Sequence, residues 1–118
     1  EYSWVSAFAS HAFQFVRRLT RDERRKWGYA GVWEIPAARC DKDSAPRIPA
    51  ELPWRCLKMH ADVNGVILDP FAGLGTTIIA AEQSSRVCRA IEEDPMCCDL
   101  IVCRWEQFTG EKAEKIEA

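Results

Sequence analysis

The chain has 118 residues, with 16 basic and 18 acidic side chains and a formal net charge of −2, so no global attraction to nucleic acid is built in. This length allows at most one small domain, which buries about two thirds of its unfolded surface. No secretory signal and no apolar run of about 18 residues is seen, so neither secretion nor a membrane is expected. The six cysteines (Cys40, Cys56, Cys88, Cys97, Cys98 and Cys103) contain no Cys-x-x-Cys pair, and His11 and His60 stand apart. Free thiols serving as small apolar residues are therefore expected, with no zinc site and no disulfides.

From Trp4 to Arg18, residues Trp4, Phe8, His11, Ala12 and Phe15 recur at spacings of three and four, which predicts a packing helix with no catalytic role for His11. Arg17 to Lys26 carries six basic and two acidic side chains, a local balance of +4 that leaves −6 for the remainder. Thr20 and Glu23 form a capping-box pattern, predicting a short helix or turn. Two readings of the clustered arginines stand side by side: contact with phosphates, or a solvated helical face interrupted by Asp22 and Glu23.

Trp27-Gly28-Tyr29 breaks that pattern. Val32, Trp33 and Ile35 then read as a strand or an extended arm that stops at Pro36, with Trp33 packing into the core. Residues 37–49 form a polar, proline-bearing loop, expected to be the most mobile part of the chain. Pro49 to His60 reads as a helix whose first turn tolerates Pro53, with Leu52, Cys56, Leu57 and Met59 as its apolar stripe.

After a turn at Asp62 to Gly65 comes the central stretch. Val66, Ile67 and Leu68 have the character of a strand covered on both faces, and Asp69 and Pro70 end it. Gly73 and Gly75 open backbone angles closed to other residues and let a ligand approach the main chain, while Thr76 or Thr77 is positioned to cap the next helix. The strand-turn-helix arrangement is a ligand cradle at a strand's carboxyl end. A P-loop is excluded, because no lysine lies between Lys58 and Lys112. A dinucleotide fingerprint fits poorly, since Ile78 stands where its third glycine belongs. A second strand, Val87 to Ile91, leads to Glu92, nineteen positions after Gly73, the spacing at which an acidic side chain accepts hydrogen bonds from ribose hydroxyls. A nucleoside-containing ligand without a pyrophosphate fits best.

Asp94 and Pro95 are an N-cap and N1 pair. Behind them Cys97, Leu100, Ile101, Trp105 and Phe108 fall on one helical face that ends at Thr109-Gly110. The charged tail from Glu111 to Ala118 is expected to fray.

Asp69-Pro70-Phe71-Ala72-Gly73-Leu74-Gly75-Thr76-Thr77, followed by Glu92 and Asp94-Pro95, resembles the cofactor-binding motif of DNA methyltransferases that modify exocyclic amines of adenine or cytosine. Ser44 to Pro53 resembles the segment that precedes this motif in the family's permuted members, so the likeness covers roughly residues 29 to 110. It implies an α/β fold, part of a Rossmann-like methyltransferase domain, over residues 29–118. The helical region 1–28 would lie on the target-recognition side.

S-adenosylmethionine is the implied cofactor. Asp69, Phe71, Ala72, Gly73, Gly75 and Thr76 would line its methionine half, Glu92 would hold the ribose, and Arg47 to Glu51 would close over the methionine end. The family's catalytic segment, Asp/Asn/Ser-Pro-Pro-aromatic, has no counterpart, because the chain holds no Pro-Pro pair, and no catalytic residue is assigned. That absence, and a first residue that is Glu1 and not methionine, fit a C-terminal piece of a bacterial or phage-encoded cytoplasmic enzyme. Its expected partners are DNA in the complete enzyme and either a missing catalytic half or a second copy at an open sheet edge. A non-catalytic S-adenosylmethionine-binding subunit or sensor is the alternative from another class. A nicotinamide-dependent fragment is disfavoured by Ile78.

Overall fold

The computed structural model describes residues 18–27, 32–36 and 48–117. The helix expected from Trp4, with His11, and the loop expected from residue 37, including Arg47 of the closing segment, fall almost wholly outside them. Four helices and two strands follow in the order α1 (Arg21–Trp27), α2 (Glu51–His60), β1 (Val66–Asp69), α3 (Thr76–Gln83), β2 (Val87–Ala90) and α4 (Pro95–Thr109). The strands pair in parallel with Val66 opposite Val87 and Asp69 opposite Ala90. A parallel pair needs a crossover, which α3 supplies. This is the α/β arrangement expected from the resemblance, in partial form.

Local chemistry accounts for most element ends. At α1, Glu23 N–H donates to Thr20 Oγ1 (3.2 Å) and Thr20 N–H donates back to Glu23 Oε2 (2.9 Å), so the capping box forms. Residues 32–36 take no regular structure, and Trp33 packs edge-on against Trp27 at 6.2 Å between ring centroids, consistent with an extended arm that packs through its tryptophan. In α2, Pro53 sits in the first turn, where its missing N–H costs nothing. At α4, Asp94 accepts from Met96 N–H at 2.9 Å, Pro95 is the first helical residue, and Gly110 ends the helix at φ +78°.

The core forms where α2 and α3 meet one face of the sheet. Leu57, Ala80 and Ala81 are buried together, with Trp54, Ile67 and Cys88 packed against them. Strand alternation turns Ile67 and Cys88 toward these helices and Val66, Leu68 and Val87 away from them. Those three remain 64%, 68% and 48% exposed. The expectation of a central strand covered on both faces is therefore corrected: among the described residues, packing contacts to the core come from one side only. A second correction concerns α3, whose N-cap is Gly75 in the left-handed region, with no side-chain cap. Thr76 and Thr77 already lie inside the first turn, too late in the chain for either hydroxyl to serve as the cap.

Two buried cations were not anticipated. Arg55, only 4% exposed, lies with its guanidinium carbon 5.1 Å from the Trp27 ring centroid and 5.5 Å from that of Trp33. Its Nε donates to Glu51 Oε1 at 3.1 Å. Trp27 also meets Trp54 edge-on at 5.8 Å, so α1, the 32–36 arm and α2 converge on this one side chain. Arg86 donates from Nε and Nη2 to the carbonyl of Ala61 (3.2 and 2.7 Å) and from Nη1 to that of Ser84. Ala61 and Ser84 are the C-caps of α2 and α3, so one guanidinium satisfies carbonyls at two helix ends.

The apolar stripe of α4 is only partly covered. Ile101 and Trp105 are half-buried, while Leu100 and Phe108 stay exposed. Trp105 Nε1 donates to Glu82 Oε1 at 3.0 Å, tying α4 to α3. Beyond the helix, Lys112 Nζ (2.8 Å) and Ala113 N–H (3.0 Å) donate back to Glu106 of α4, so the start of the tail is fastened where fraying was expected. These bonds, the Lys112 one foremost, hold the Glu106 carboxyl below its ordinary pKa. Among the described residues no helix is long and apolar enough to cross a membrane.

Replacing Arg86 with alanine should remove charge-assisted hydrogen bonds from a buried position and lower stability by about 1.5–3 kcal/mol, read as a shift in the urea midpoint. A loss below about 0.5 kcal/mol would mean that water satisfies the two helix ends equally well.

Among the described residues β1 pairs only with β2. Its other edge, beside exposed Val66 and Leu68, favours pairing with a further strand. The chain is expected either to self-associate through this edge or to take up a strand from a partner, which size-exclusion chromatography with light scattering would detect. A stable monomer whose β1 amides are all protected from hydrogen exchange would show that the edge is already covered.

Candidate functional site

The two strands end side by side, and the loops that leave them stay joined. Ile91 N–H donates to the Asp69 carbonyl at 2.9 Å, and Ala72 N–H donates to the Ile91 carbonyl at 3.0 Å. The Asp69 carboxylate turns the chain by accepting from Phe71 N–H at 3.1 Å. This zipper carries the glycine-rich turn to the acidic residues after β2.

Glu92 closes the contact. Its Oε2 accepts from Gly73 N–H at 2.6 Å, and its Oε1 accepts from Glu93 N–H (3.1 Å) and Asp94 N–H (3.0 Å). A carboxylate has about four acceptor sites. Three are occupied by backbone amides, which fix the group, and Oε2 keeps one for a further donor. Residues nineteen apart in sequence thus meet at the strand ends, where Asp69, Glu93 and Asp94 add further acidic groups.

The two glycines of the turn have different work. Gly73 has φ +53°, and a Cβ built on it would meet nothing within 4 Å, so its backbone borders open space. Gly75 has φ +72°, and a Cβ there would come within 2.9 Å of Ile101 Cγ1. Its missing side chain admits α4. Next to it, the Leu74 carbonyl accepts from Arg104 Nη1, so α4 buttresses the turn at two points. Neither Ile101 nor Arg104 was singled out from sequence as part of the site. The available signal was a cation, the only basic residue of the helix, about one turn after Leu100 and Ile101 and next to Trp105.

Of the residues expected to line a ligand, Asp69, Gly73 and Glu92 come together at the strand ends. Phe71 stands 87% exposed beside them, and Ile91 and Met96 add further exposed apolar surface. Ala72, Gly75 and Thr76 are buried and shape the turn from beneath. Of the proposed closing segment, Glu51 is engaged by Arg55. Cys97 lies next to this surface with Sγ 3.7 Å from Asp94 Oδ2. Desolvation, followed by the Asp94 charge, raises its pKa and keeps it a thiol, not a thiolate nucleophile. Among the described residues no cluster of His, Cys, Asp and Glu has the makings of a metal site.

The chain has relatives among known proteins. A family model described as "DNA methylase" matches residues 11–102. The type II methyltransferase M.BglI of Bacillus subtilis is 36% identical over 103 residues, covering 85% of this chain and 30% of that protein. M.MjaI of Methanocaldococcus jannaschii is 31% identical over 110 residues, covering 87% and 34%. The chain therefore spans about a third of the length of these relatives. A solved structure of a putative DNA modification methylase from Thermus thermophilus, complexed with S-adenosyl-L-methionine, superposes with a TM-score of 0.55 at 29% identity, covering 78% of this chain and 39% of that one. With a family match across most of its length and relatives above 30% identity, the chain belongs to the DNA methylase family.

Proposed function

We propose that this chain is the cofactor-binding portion of an S-adenosylmethionine-dependent DNA methyltransferase that acts on an exocyclic amine of adenine or cytosine. The observation that carries the reading is Glu92, held 2.6 Å from the Gly73 amide with one acceptor site to spare. A ribose supplies the hydroxyl donor such a site takes. Around it the carboxylate acceptors suit the cofactor. The acidic rim formed by Asp69, Glu92, Glu93 and Asp94 complements a sulfonium cation, and the open backbone at Gly73 admits close approach.

In this reading Glu92 accepts from the ribose, Gly73 lets the ligand reach the main chain, and Asp69 and Phe71 border the methionine half. Ala72, Gly75 and Thr76 hold the turn in shape. Bound S-adenosylmethionine would supply an electrophilic methyl group. DNA as the acceptor is supported by the DNA methylase family model that the chain matches. An amine on a base must be taken out of the stack and held by acceptors and an aromatic platform, and the Pro-Pro-aromatic segment that does this in the family is not among these residues. That one observation favours a second reading, a non-catalytic S-adenosylmethionine-binding subunit or sensor. A labelled-methyl assay separates the readings: transfer restored by a polypeptide carrying the Pro-Pro-aromatic segment marks the chain as part of an enzyme. Transfer by the chain unaided would overturn the assignment of that segment.

Glu92→Ala should weaken S-adenosylmethionine binding by about 1.5–3 kcal/mol, roughly 10- to 150-fold, with Glu92→Gln falling between. Titration calorimetry reads the change directly, and an unaltered affinity would remove the carboxylate from the ribose.

A further inference from the structure

We infer that the outer face of α1 is a docking surface for the phosphate backbone of DNA, fixed to the cofactor domain through Trp27. This deepens the function proposed above and rests on it for the choice of nucleic acid as the occupant. Arg21, Arg24 and Arg25 stand at i, i+3 and i+4, the spacing that puts three side chains on one face of a helix. All three are exposed, and among the described residues none of them makes an ion pair. Trp27 is the one buried residue of the helix; at about 100° per residue it lies nearly opposite Arg25 and about 120° from Arg21, so its burial turns those two outward and leaves Arg24, about 60° away, exposed on the flank.

Helix energetics explain only part of this face: Arg24 and Arg25 lie in the last turn, where the dipole favours cations, but Arg21 does not. Like charges three and four residues apart work against an isolated helix. A cation at Arg21, the first helical residue, sits at the positive end of the helix dipole, where it is disfavoured. Asp22 and Glu23 in the same turn offset part of that cost, Glu23 with its carboxylate folded back onto Thr20. α1 itself carries +2 and the stretch from Arg17 to Lys26 carries +4, in a chain whose remainder carries −6, so a polyanion would be drawn toward this stretch.

The tryptophan anchor gives the face a set position. Trp27 meets Trp54 of α2 and Trp33 of the arm, and the Arg55 guanidinium lies over the rings of both Trp27 and Trp33. Phosphate contacts on α1 would therefore be held in register with the domain that carries the Glu92 site, which is what contacts that orient DNA require.

The test uses the 118-residue chain, a fluorescein-labelled random-sequence duplex, and anisotropy titrations between 50 and 200 mM salt, with S-adenosylmethionine calorimetry run in parallel. Exchanging Arg24 and Arg25 for glutamine should reduce the slope of log affinity against log salt by about 2, near 0.9 for each phosphate no longer neutralised, and weaken duplex binding at low salt tenfold or more. Cofactor affinity and circular dichroism should stay unchanged. Exchanging both for glutamate should weaken it further. An unchanged slope makes α1 a solvated face and overturns the inference, as does a wild-type chain that binds S-adenosylmethionine but no duplex. Binding to anionic-lipid vesicles that falls with these substitutions while duplex binding does not would name the wrong polyanion. Duplex binding that responds as expected in a chain unable to bind S-adenosylmethionine would leave the surface standing and bring down the cofactor reading instead.

Discussion

The arrangement depends on how closely α3 approaches its neighbours. Ala80 and Ala81 are 0% and 1% exposed and lie between Leu57 of α2 and the Ile67–Cys88 face of the sheet. Two methyl groups at this contact let the helix backbone come near the strands, and larger side chains would force it away at a cost of about 1–3 kcal/mol. With α3 seated there, the crossover delivers β2 alongside β1 with Asp69 opposite Ala90. The loops beyond then continue the pairing through Asp69, Ile91 and Ala72. Everything distinctive about the site, including the reach of Glu92 to Gly73, follows from that register.

Buried guanidinium groups hold the helices around this core, and they meet the cost of desolvation in two ways. Arg86 is enclosed by carbonyls that helix ends leave unsatisfied, so one cation and two C-termini resolve each other's deficits. Arg55 has a carboxylate on one side, from Glu51, and aromatic faces on the other, from Trp27 and Trp33. The weakly hydrated, planar guanidinium suits both settings better than an ammonium would. These contacts also link segments that share no secondary structure, since the arm of residues 32–36 meets the rest through Trp33.

At the site, rigidity and access are divided between neighbouring residues. Gly75 is spent on packing against Ile101, and Leu74 is held by Arg104, so the turn is braced from α4. Gly73, two residues earlier, faces open space. Glu92 is likewise fixed by three amides while retaining an acceptor position. A binding surface held this way loses little freedom when a ligand arrives, which is the usual source of affinity in preorganised sites. Family membership accords with this geometry, and Phe71, Ile91 and Met96 add exposed apolar surface beside it.

The sequence by itself determined what short-range stereochemistry controls. The Thr20–Glu23 capping box, the Asp94-Pro95 helix start, the Gly110 stop and the strand-turn-helix around Gly73 each involve residues within a few positions of one another, where allowed backbone angles and a single hydrogen bond decide the outcome. The position of Glu92 beside the Gly73 turn was also legible, because the length of a crossover through one short helix is nearly constant. Only the tertiary structure decided which glycine admits a helix and which faces solvent, because that turns on Ile101, twenty-six residues beyond Gly75. It also decided that the apolar run Val66 to Leu68 is packed on one face, since hydrophobicity reports a residue's preference and not whether a partner layer is present. Arg55, Arg86 and Arg104 escaped the sequence reading for the same reason. Charged residues are expected outside, and what permits their burial or half-burial here is a set of carbonyls, rings and a carboxylate, most of which fold to them from elsewhere in the chain.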